Sequence, residues 1–342
     1  MGIIEEYSKW DLEYSVWNKP CDTEKKRSFA VCTYNTVIHS KLRPVNYIIF
    51  AYGSRVEDHS KNYRTLKEKS AHISHVLSYL QEKTDENYIV KFLMLDADAP
   101  LSEQSKKLAS YVDMLATNTR TNSINIIGLS KCGAMNMYVA KNFKNPLSYE
   151  VTNIYNIATP YEGTKLASPN IFYPEVKDFF NKKIGDNKLS NYVYEKSVAF
   201  YESISSNSHM DYDIAKDGGV PEDRFNKYDK KFVKEMLSKE NIDSLKRVNS
   251  FTNFITGTDE KTLGEALRTF NAAGIGLCLL NDWFFDGKGD GLVLTEEQYK
   301  IENYLDTTSI RLPSSHHRVN SVYRVFDVVL DKINDNVQRT RK

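Results

Sequence analysis

The stretch of residues 123–140 constrains the fold more than any other, because its two halves follow different periods. Residues 124–127 form a short, mostly apolar and β-branched run, which is typical of a buried strand. From Lys131 onward the apolar residues recur at helical spacing, which predicts a helix. The residue between the two halves, Ser130, is therefore predicted to lie on a tight turn that presents its hydroxyl at the carboxyl edge of a sheet.

The predicted helix beside Ser130 adds a second chemical feature. Backbone N–H groups in the first turn of a helix have no intrahelical acceptor and carry a partial positive charge. Such groups are suited to an oxyanion that develops during acyl transfer. The stretch therefore combines a candidate nucleophile with a candidate oxyanion-binding helix end.

The turn reads Gly128-Leu129-Ser130-Lys131-Cys132-Gly133. It resembles the nucleophile elbow of the α/β-hydrolase superfamily, in particular that of triacylglycerol lipases, esterases and GPI-inositol-deacylase-like serine hydrolases, whose pattern is Gly-x-Ser-x-Gly. Cys132 stands at the position of the second glycine, and because cysteine is small we expect the turn to persist with a slight shift. A plain strand-to-helix turn is the alternative interpretation.

The rest of the chain alternates apolar, strand-like runs with helical patterns. This alternation predicts right-handed βαβ units, an α/β fold and a mostly parallel central sheet flanked by helices. The strands are predicted at residues 12–17, 29–34, 45–51, 88–95, 124–127, 151–158, 251–257 and 309–312, the first two at the sheet edge. A terminal helix is predicted at residues 320–336.

Residues 161–247 interrupt this alternation and are rich in Tyr, Asn, Lys and Ser. In the family that the elbow resembles, an insertion at this place forms a cap or lid. We therefore expect an α/β-hydrolase core formed by residues 1–160 and 248–342, and a mainly helical cap formed by residues 161–247.

Two further motifs are similar to lipase loops. Residues 159–164, Thr-Pro-Tyr-Glu-Gly-Thr, are similar to a Thr-Pro-His-x-Gly-Ser loop, with Tyr161 in place of the histidine. Residues 286–293 are similar to the Gly-Asp-Gly-x-Val loop that carries the catalytic carboxylate, and Asp290 matches that acid. The alternative for Asp290 is a solvated carboxylate in a glycine-rich turn.

The resemblance also implies a base and an oxyanion hole. His316 follows the last predicted strand, where the family keeps its catalytic histidine, and the adjacent His317 is the alternative base. The implied oxyanion donors are the backbone N–H groups of Lys131 and Ser54, although Tyr52 replaces the histidine that usually precedes the corresponding glycine. We expect the Lys131 side chain to point into solvent.

The implied catalytic triad is Ser130, Asp290 and His316. It predicts a serine hydrolase that cleaves a small-molecule or lipid-like carboxylic ester through an acyl-enzyme. Thioester or amide cleavage and acyl transfer remain open, and so does a non-catalytic binding protein with this fold. The last alternative is motivated by the departures from the family pattern at Tyr52, Cys132 and Tyr161. The thiol of Cys132 is expected in the helix packing rather than as the nucleophile.

Composition narrows the classes of partner. The chain has 46 basic and 45 acidic residues among 342, a net charge of +1, so no nucleic-acid partner is expected. No run approaches the ~20 apolar residues of a transmembrane helix, and the first residues lack the pattern of a secretory signal. The four cysteines show no metal-binding spacing and predict free thiols in a reducing, cytoplasmic compartment. No cofactor and no metal are expected, and the oligomeric state is left open.

Overall fold

The computed structural model describes residues 11–13, 29–33, 45–54, 79–80, 82–84, 87–96, 101–117, 121–144, 150–163, 178, 182, 185, 187–188, 191–192, 194–195, 232, 234–257, 289–290, 293–313 and 323–340. The strands in these ranges are β1 Asp11–Glu13, β2 Phe29–Thr33, β3 Val45–Ser54, β4 Tyr88–Asp96, β5 Thr121–Leu129, β6 Thr152–Ile157, β7 Ser250–Gly257 and β8 Thr308–Pro313. The helices are α1 Leu101–Ala116, α2 Lys131–Lys141, α3 Lys239–Leu245, α4 Thr295–Tyr299 and α5 Tyr323–Thr340, and a 3₁₀ turn, Lys300–Asn303, follows α4.

The chain divides into two compact units. Unit 1 comprises Met1–Ile157, Lys239–Asn253 and Asn320–Lys342, and unit 2 comprises Ala158–Ser238 and Phe254–Val319. Strand β7 begins in unit 1 and ends in unit 2. Because 164–231 holds only isolated described residues, the predicted cap stays a prediction.

The sheet of unit 1 has the strand order β1-β2-β4-β3-β5-β6, and β7 follows β6. β1 is antiparallel to β2, and β2 is antiparallel to β4. The pairs β4–β3, β3–β5 and β5–β6 are parallel. The predicted mostly parallel sheet, with its first two strands at the edge, is confirmed.

The core of unit 1 lies on the central strands and the helices that flank them. β5 is buried from Ser123 to Leu129, as expected of a parallel strand that is covered on both faces. α1 packs against α2 and β5, and α2 also contacts β3 and β6. α5 contacts β6, and its Phe326 ring meets Phe50 of β3 edge-on at 5.8 Å between centroids. The buried residues of α1 include Leu108, Tyr111, Val112 and Leu115.

Asparagine side chains connect the amino ends of neighbouring strands in unit 1. Asn249, just before β7, donates from Nδ2 to Asn153 Oδ1 at 2.5 Å, and Asn153 donates to Asn125 Oδ1 at 2.9 Å. Asn125 donates to Ser123 Oγ at 3.0 Å, and that hydroxyl donates to Asn46 Oδ1 at 2.8 Å. We call these five residues the amide ladder. It joins β3, β5 and β6 through side chains as well as through the backbone.

Candidate active site

Ser130 lies on a strained turn between β5 and α2. Its φ is 56° and its ψ is −128°, and it caps the amino end of α2. A non-glycine residue held in such a region costs on the order of 1–3 kcal/mol, so the surroundings must enforce it. Its N–H donates to the Ile157 carbonyl at 2.8 Å, and its carbonyl accepts from the Gly133 N–H at 2.9 Å. The residue remains partly exposed. The predicted turn, with its serine at the carboxyl end of a parallel strand, is therefore present.

Gly128 is required by the close approach of α2 to β5. A Cβ atom at this position would lie 2.4 Å from Asn136 Nδ2 and 2.8 Å from the Cys132 carbonyl oxygen. The second contact is with backbone, which cannot rotate away. The first glycine of the motif therefore sets how closely the helix that follows Ser130 can pack on its strand.

The two residues after Ser130 are both buried. Cys132 is fully buried at 0% exposure, and Ser130 keeps its left-handed φ although Cys132 stands where the motif has a second glycine. Its predicted place in the helix packing is confirmed. Lys131 is only 8% exposed, so the expectation that its side chain points into solvent is wrong. The physical reason is that every residue of α2 from Lys131 to Ala140 is buried, which leaves no solvent-facing side at its first turn.

The two predicted oxyanion donors follow neighbouring strands of unit 1. In the parallel pair of β3 and β5, Ala51 lies opposite Gly128. β3 ends at Ser54 and β5 ends one residue before Ser130, so both ends face the same sheet edge. The backbone of Ser54 and the first turn of α2, which begins at Lys131, are thus brought to the same side of the sheet as Ser130.

Asp290 lies in unit 2 and is 1% exposed, so the alternative of a solvated carboxylate is wrong. Its Oδ1 accepts from the backbone N–H of Val293 at 2.8 Å. Its Oδ2 accepts from the hydroxyl of Thr256, near the end of β7, at 2.5 Å. The N–H of Asp290 also donates to the Val293 carbonyl at 3.1 Å. Both carboxylate oxygens are therefore fixed in direction.

Gln298 fixes Thr256 in turn. Its Oε1 accepts from the Thr256 N–H at 2.7 Å, and its Nε2 donates to the Thr256 carbonyl at 2.9 Å. The amide side chain thus pairs with the strand end as a neighbouring strand would. The Thr256 hydroxyl has one proton, and the shorter contact directs it to Asp290 rather than to Gln298 Oε1 at 3.1 Å. We call Thr256, Asp290, Val293 and Gln298 the acid clamp.

Sequence reasoning missed Thr256 and Gln298. The sequence predicts Thr256 only as part of the strand at residues 251–257, and the space around the neighbouring Gly257 is visible only in the structure. A Cβ atom on Gly257 would lie 3.2 Å from Thr295 Oγ1. Nothing in the local pattern of Gln298 links it to a strand more than forty residues earlier.

The loop that begins at Thr159 is a tight turn in unit 2. Ala158 before it has a φ of 54°, and Gly163 has a φ of 93° and donates to the Pro160 carbonyl at 3.1 Å. Tyr161, where the family has histidine, is fully buried. The loop therefore forms a hydrogen-bonded turn in unit 2 with tyrosine at this position.

Glu162 in this loop is held by the segment after α4. The Tyr304 hydroxyl donates to its Oε1 at 2.9 Å, and Lys300 Nζ lies 3.6 Å from its Oε2. Burial, followed by the hydrogen bond to Glu162 and its negative charge, raises the pKa of Tyr304 above its ordinary value. These contacts tie the loop to the 3₁₀ turn.

The predicted site residues therefore fall into three groups. Ser130, Lys131 and Ser54 belong to unit 1, Asp290 belongs to unit 2, and His316 and His317 lie outside the described residues. Within the described ranges, no group of three or more His, Cys, Asp or Glu side chains could hold a metal ion. The part of the chain that the structure describes also contains no helix of the length and apolarity that a bilayer crossing demands.

No known protein-family model matches the sequence, and neither does any curated protein. Solved structures to which the chain is similar include fungal esterases from Rhizomucor miehei, at 15% identity over 99% of this chain and 85% of the other, with a TM-score of 0.47. A mature lipase from Bacillus licheniformis has 11% identity over 85% of this chain and 92% of its own, with a TM-score of 0.46. A peroxisomal α/β-hydrolase from Saccharomyces cerevisiae has 12% identity over 94% and 85%, with a TM-score of 0.44.

The fold class itself follows from the molecule's own architecture. Its sheet is mostly parallel and flanked by helices, and β2 is antiparallel to its neighbours β1 and β4. A strained serine, Ser130, follows the central strand β5. The α/β fold predicted from the sequence, with the mostly parallel sheet and the serine turn after a central strand that are typical of the α/β-hydrolase fold, is confirmed.

Proposed function

We propose that the protein is a serine hydrolase that cleaves a carboxylic ester, with Ser130 as nucleophile, His316 as general base and Asp290 as orienting acid. The observation that carries the proposal is the φ of 56° at Ser130, which follows a central parallel strand and begins a buried helix. Such strain is maintained at sites where a side chain must be presented in one geometry.

In the proposed mechanism, His316 accepts the hydroxyl proton as the Ser130 oxygen attacks the ester carbonyl carbon. The backbone N–H groups of Lys131 and Ser54 stabilise the oxyanion, and each such donor is typically worth ~10²–10³ in turnover. The imidazolium then gives its proton to the leaving alcohol, and water hydrolyses the acyl-enzyme by the same steps. His317 is the alternative base.

The acid clamp supports the role proposed for Asp290. An orienting acid must present one direction to the imidazole N–H throughout the cycle. The Thr256 hydroxyl donates to its Oδ2 and the Val293 N–H donates to its Oδ1, so both oxygens are held in direction. A buried and directed carboxylate is suited to this role.

The substrate class that we propose is a small-molecule or lipid-like ester. Thioester and amide cleavage and acyl transfer use the same triad and differ in the leaving group or in the acceptor. A panel of p-nitrophenyl esters from acetate to palmitate, with one thioester and one amide, separates these reactions by their relative kcat/KM.

The decisive experiment is labelling with a fluorophosphonate probe. We expect the wild type to be labelled and Ser130→Ala to be unlabelled, with turnover lowered by roughly 10⁶. Ser238→Ala is the matched control, because Ser238 is also partly exposed and also directly precedes a helix, α3. A folded wild type that is not labelled would overturn the proposal and favour a non-catalytic binding protein.

A further inference from the structure

Two asparagines connect α2 to the sheet beneath the turn at Ser130. Asn136 of α2 donates from Nδ2 to Asn156 Oδ1 at 3.0 Å. Asn156 of β6 donates from Nδ2 to the Gly133 carbonyl, in the first turns of α2, at 3.1 Å. Both asparagines are fully buried. We call this pair the elbow clamp.

The elbow clamp lies directly on the end of the central strand. Asn156 is the register partner of Gly128 in the parallel pair of β5 and β6. The Nδ2 atom of Asn136 occupies the space that a side chain at Gly128 would need. Among the residues that the structure describes, the Oδ1 atom of Asn136 has no hydrogen-bond partner, and the Nδ2 atom of the same side chain is held by its bond to Asn156.

A closed series of hydrogen bonds links the elbow clamp to Ser130. Asn156 binds the Gly133 carbonyl through its side chain, and the Gly133 N–H donates to the Ser130 carbonyl. The Ser130 N–H donates to the carbonyl of Ile157, the residue that follows Asn156 on β6. Two adjacent residues of one strand therefore hold the turn from both sides.

We propose that Asn136 and Asn156 are positioning residues that hold Ser130 in its left-handed conformation and fix the first turn of α2 against β6. Because that turn carries the Lys131 N–H, the pair also aims the oxyanion donor. This inference rests on the proposed function only for its effect on catalysis. The effect on the conformation of the turn is independent of it.

The chain offers a matched control on the same strand. Asn153 of β6 is also fully buried and also makes an amide–amide hydrogen bond, in its case to Asn125, its register partner on β5, at 2.9 Å. It belongs to the amide ladder at the amino end of the strand, away from Ser130. Asn153→Ala and Asn156→Ala thus remove the same chemical group from two ends of one strand.

In the catalytic test, both variants should lose a similar amount of stability, measured as the midpoint of urea unfolding. We expect Asn156→Ala to lower kcat and the rate of fluorophosphonate labelling by about 10- to 100-fold with KM nearly unchanged, because small misplacements of reacting groups have effects of this size. Asn153→Ala should change kcat by less than about 2-fold. Equal kinetic effects of the two variants would overturn the inference.

A second readout does not depend on activity. We expect amide hydrogen exchange at Ser130 and Gly133 to be faster in Asn156→Ala than in Asn153→Ala, because both amides close the hydrogen-bonded series. If the wild type is not labelled but this difference is present, the proposed function fails and the positioning role stands. Unchanged exchange at both amides would overturn the positioning role even in an active enzyme. Asn136→Ala, which removes the other half of the pair, tests the same point if Asn156→Ala does not fold.

Discussion

The two ends of the parallel strands in unit 1 both carry buried asparagines, but the hydrogen bonds of these asparagines connect different elements. At the amino end, the amide ladder consists of bonds between side chains. The Asn153–Asn125 and Ser123–Asn46 bonds join neighbouring strands, and the Asn125–Ser123 bond lies within β5. At the carboxyl end, the elbow clamp joins a helix to a strand and reaches the backbone of the turn. The first arrangement specifies register, and the second specifies the position of one helix end.

Unsatisfied atoms do not distinguish the two ends. Within the described part of the chain, Asn46 Nδ2 in the amide ladder and Asn136 Oδ1 in the elbow clamp both lack a hydrogen-bond partner. What differs is backbone strain, since the described non-glycine residues with positive φ are Ser130 and Ala158, and each directly follows the end of a strand. The elbow clamp therefore adjoins a strained residue, Ser130, whereas no member of the amide ladder has a positive φ.

The largest expected effect is from Gly128→Ala. The new Cβ atom would clash with Asn136 Nδ2 and with the Cys132 carbonyl, so α2 must move away from β5. We expect a loss of about 1–3 kcal/mol in unfolding free energy and a loss of fluorophosphonate labelling by more than about 100-fold. Adding Asn136→Ala should restore little, because the backbone contact remains. Full recovery in the double variant would show that the side chain alone sets the approach of the helix.

The carboxyl end of β7 offers a second comparison, between a variant of Thr256 that keeps the hydroxyl and one that removes it. Thr256→Val keeps the shape of the side chain but removes the hydroxyl that donates to Asp290 Oδ2. We expect unfolding free energy to fall by about 1–3 kcal/mol and kcat to fall by about 10-fold. Thr256→Ser, which keeps the hydroxyl, should recover most of kcat. If the serine and valine variants have the same kcat, the hydroxyl has no positioning role.

The strand and helix periods could be predicted from the sequence because they depend on neighbouring residues. The sequence predicts β5 only from residue 124, whereas the strand begins at Thr121. The polar side chains of Asn122 and Ser123 are typical of a loop, yet both donate to Asn46 Oδ1 on β3. A polar side chain can lie in a buried strand when a hydrogen-bond partner satisfies it. Because that partner is distant in sequence, the local pattern does not reveal it.

The candidate site shows the same limit. Ser130 and Asp290 could be found because glycine-rich turns have local signatures. Thr256 and Gln298, by contrast, act through contacts across the chain. The burial of Lys131 also could not be deduced, because it depends on α2 being covered on all sides.

Substitutions in the amide ladder are expected to have an intermediate effect, on stability but not on labelling. Asn125→Leu alone leaves the Asn153 amide without its acceptor, so we expect unfolding free energy to fall by about 1–3 kcal/mol. Asn125→Leu with Asn153→Leu removes both partners and should be less destabilising than the sum of the two single changes. Labelling at Ser130 should change by less than about 2-fold in all three variants. A large loss of labelling would show that the two strand ends are coupled and that the comparison fails.

The smallest expected effect concerns Tyr155, which lies on β6 between Asn153 and Asn156. Its hydroxyl accepts from Asn336 Nδ2 at 2.9 Å. Burial raises the pKa of Tyr155 well above its ordinary value, an effect that the hydrogen bond from Asn336 partly opposes. Because the folded protein keeps the phenol protonated while the unfolded chain ionises near pH 10, unfolding releases a proton above that pH. The contribution of Tyr155 is therefore complete below about pH 10 and is lost as the pH rises further.

Tyr155→Phe should remove this alkaline loss. We expect the unfolding free energy of the variant to differ from the wild type by about 1 kcal/mol or less at pH 8, and to fall less steeply between pH 10 and 11, as measured by urea unfolding at each pH. Parallel pH curves for the two proteins would contradict the assignment. Tyr155 lies between the two strand ends and belongs to neither network. Tyr155→Phe should therefore leave the labelling of Ser130 and the hydrogen bonds of the amide ladder unchanged. This variant is the neutral reference for substitutions at either end of the strand.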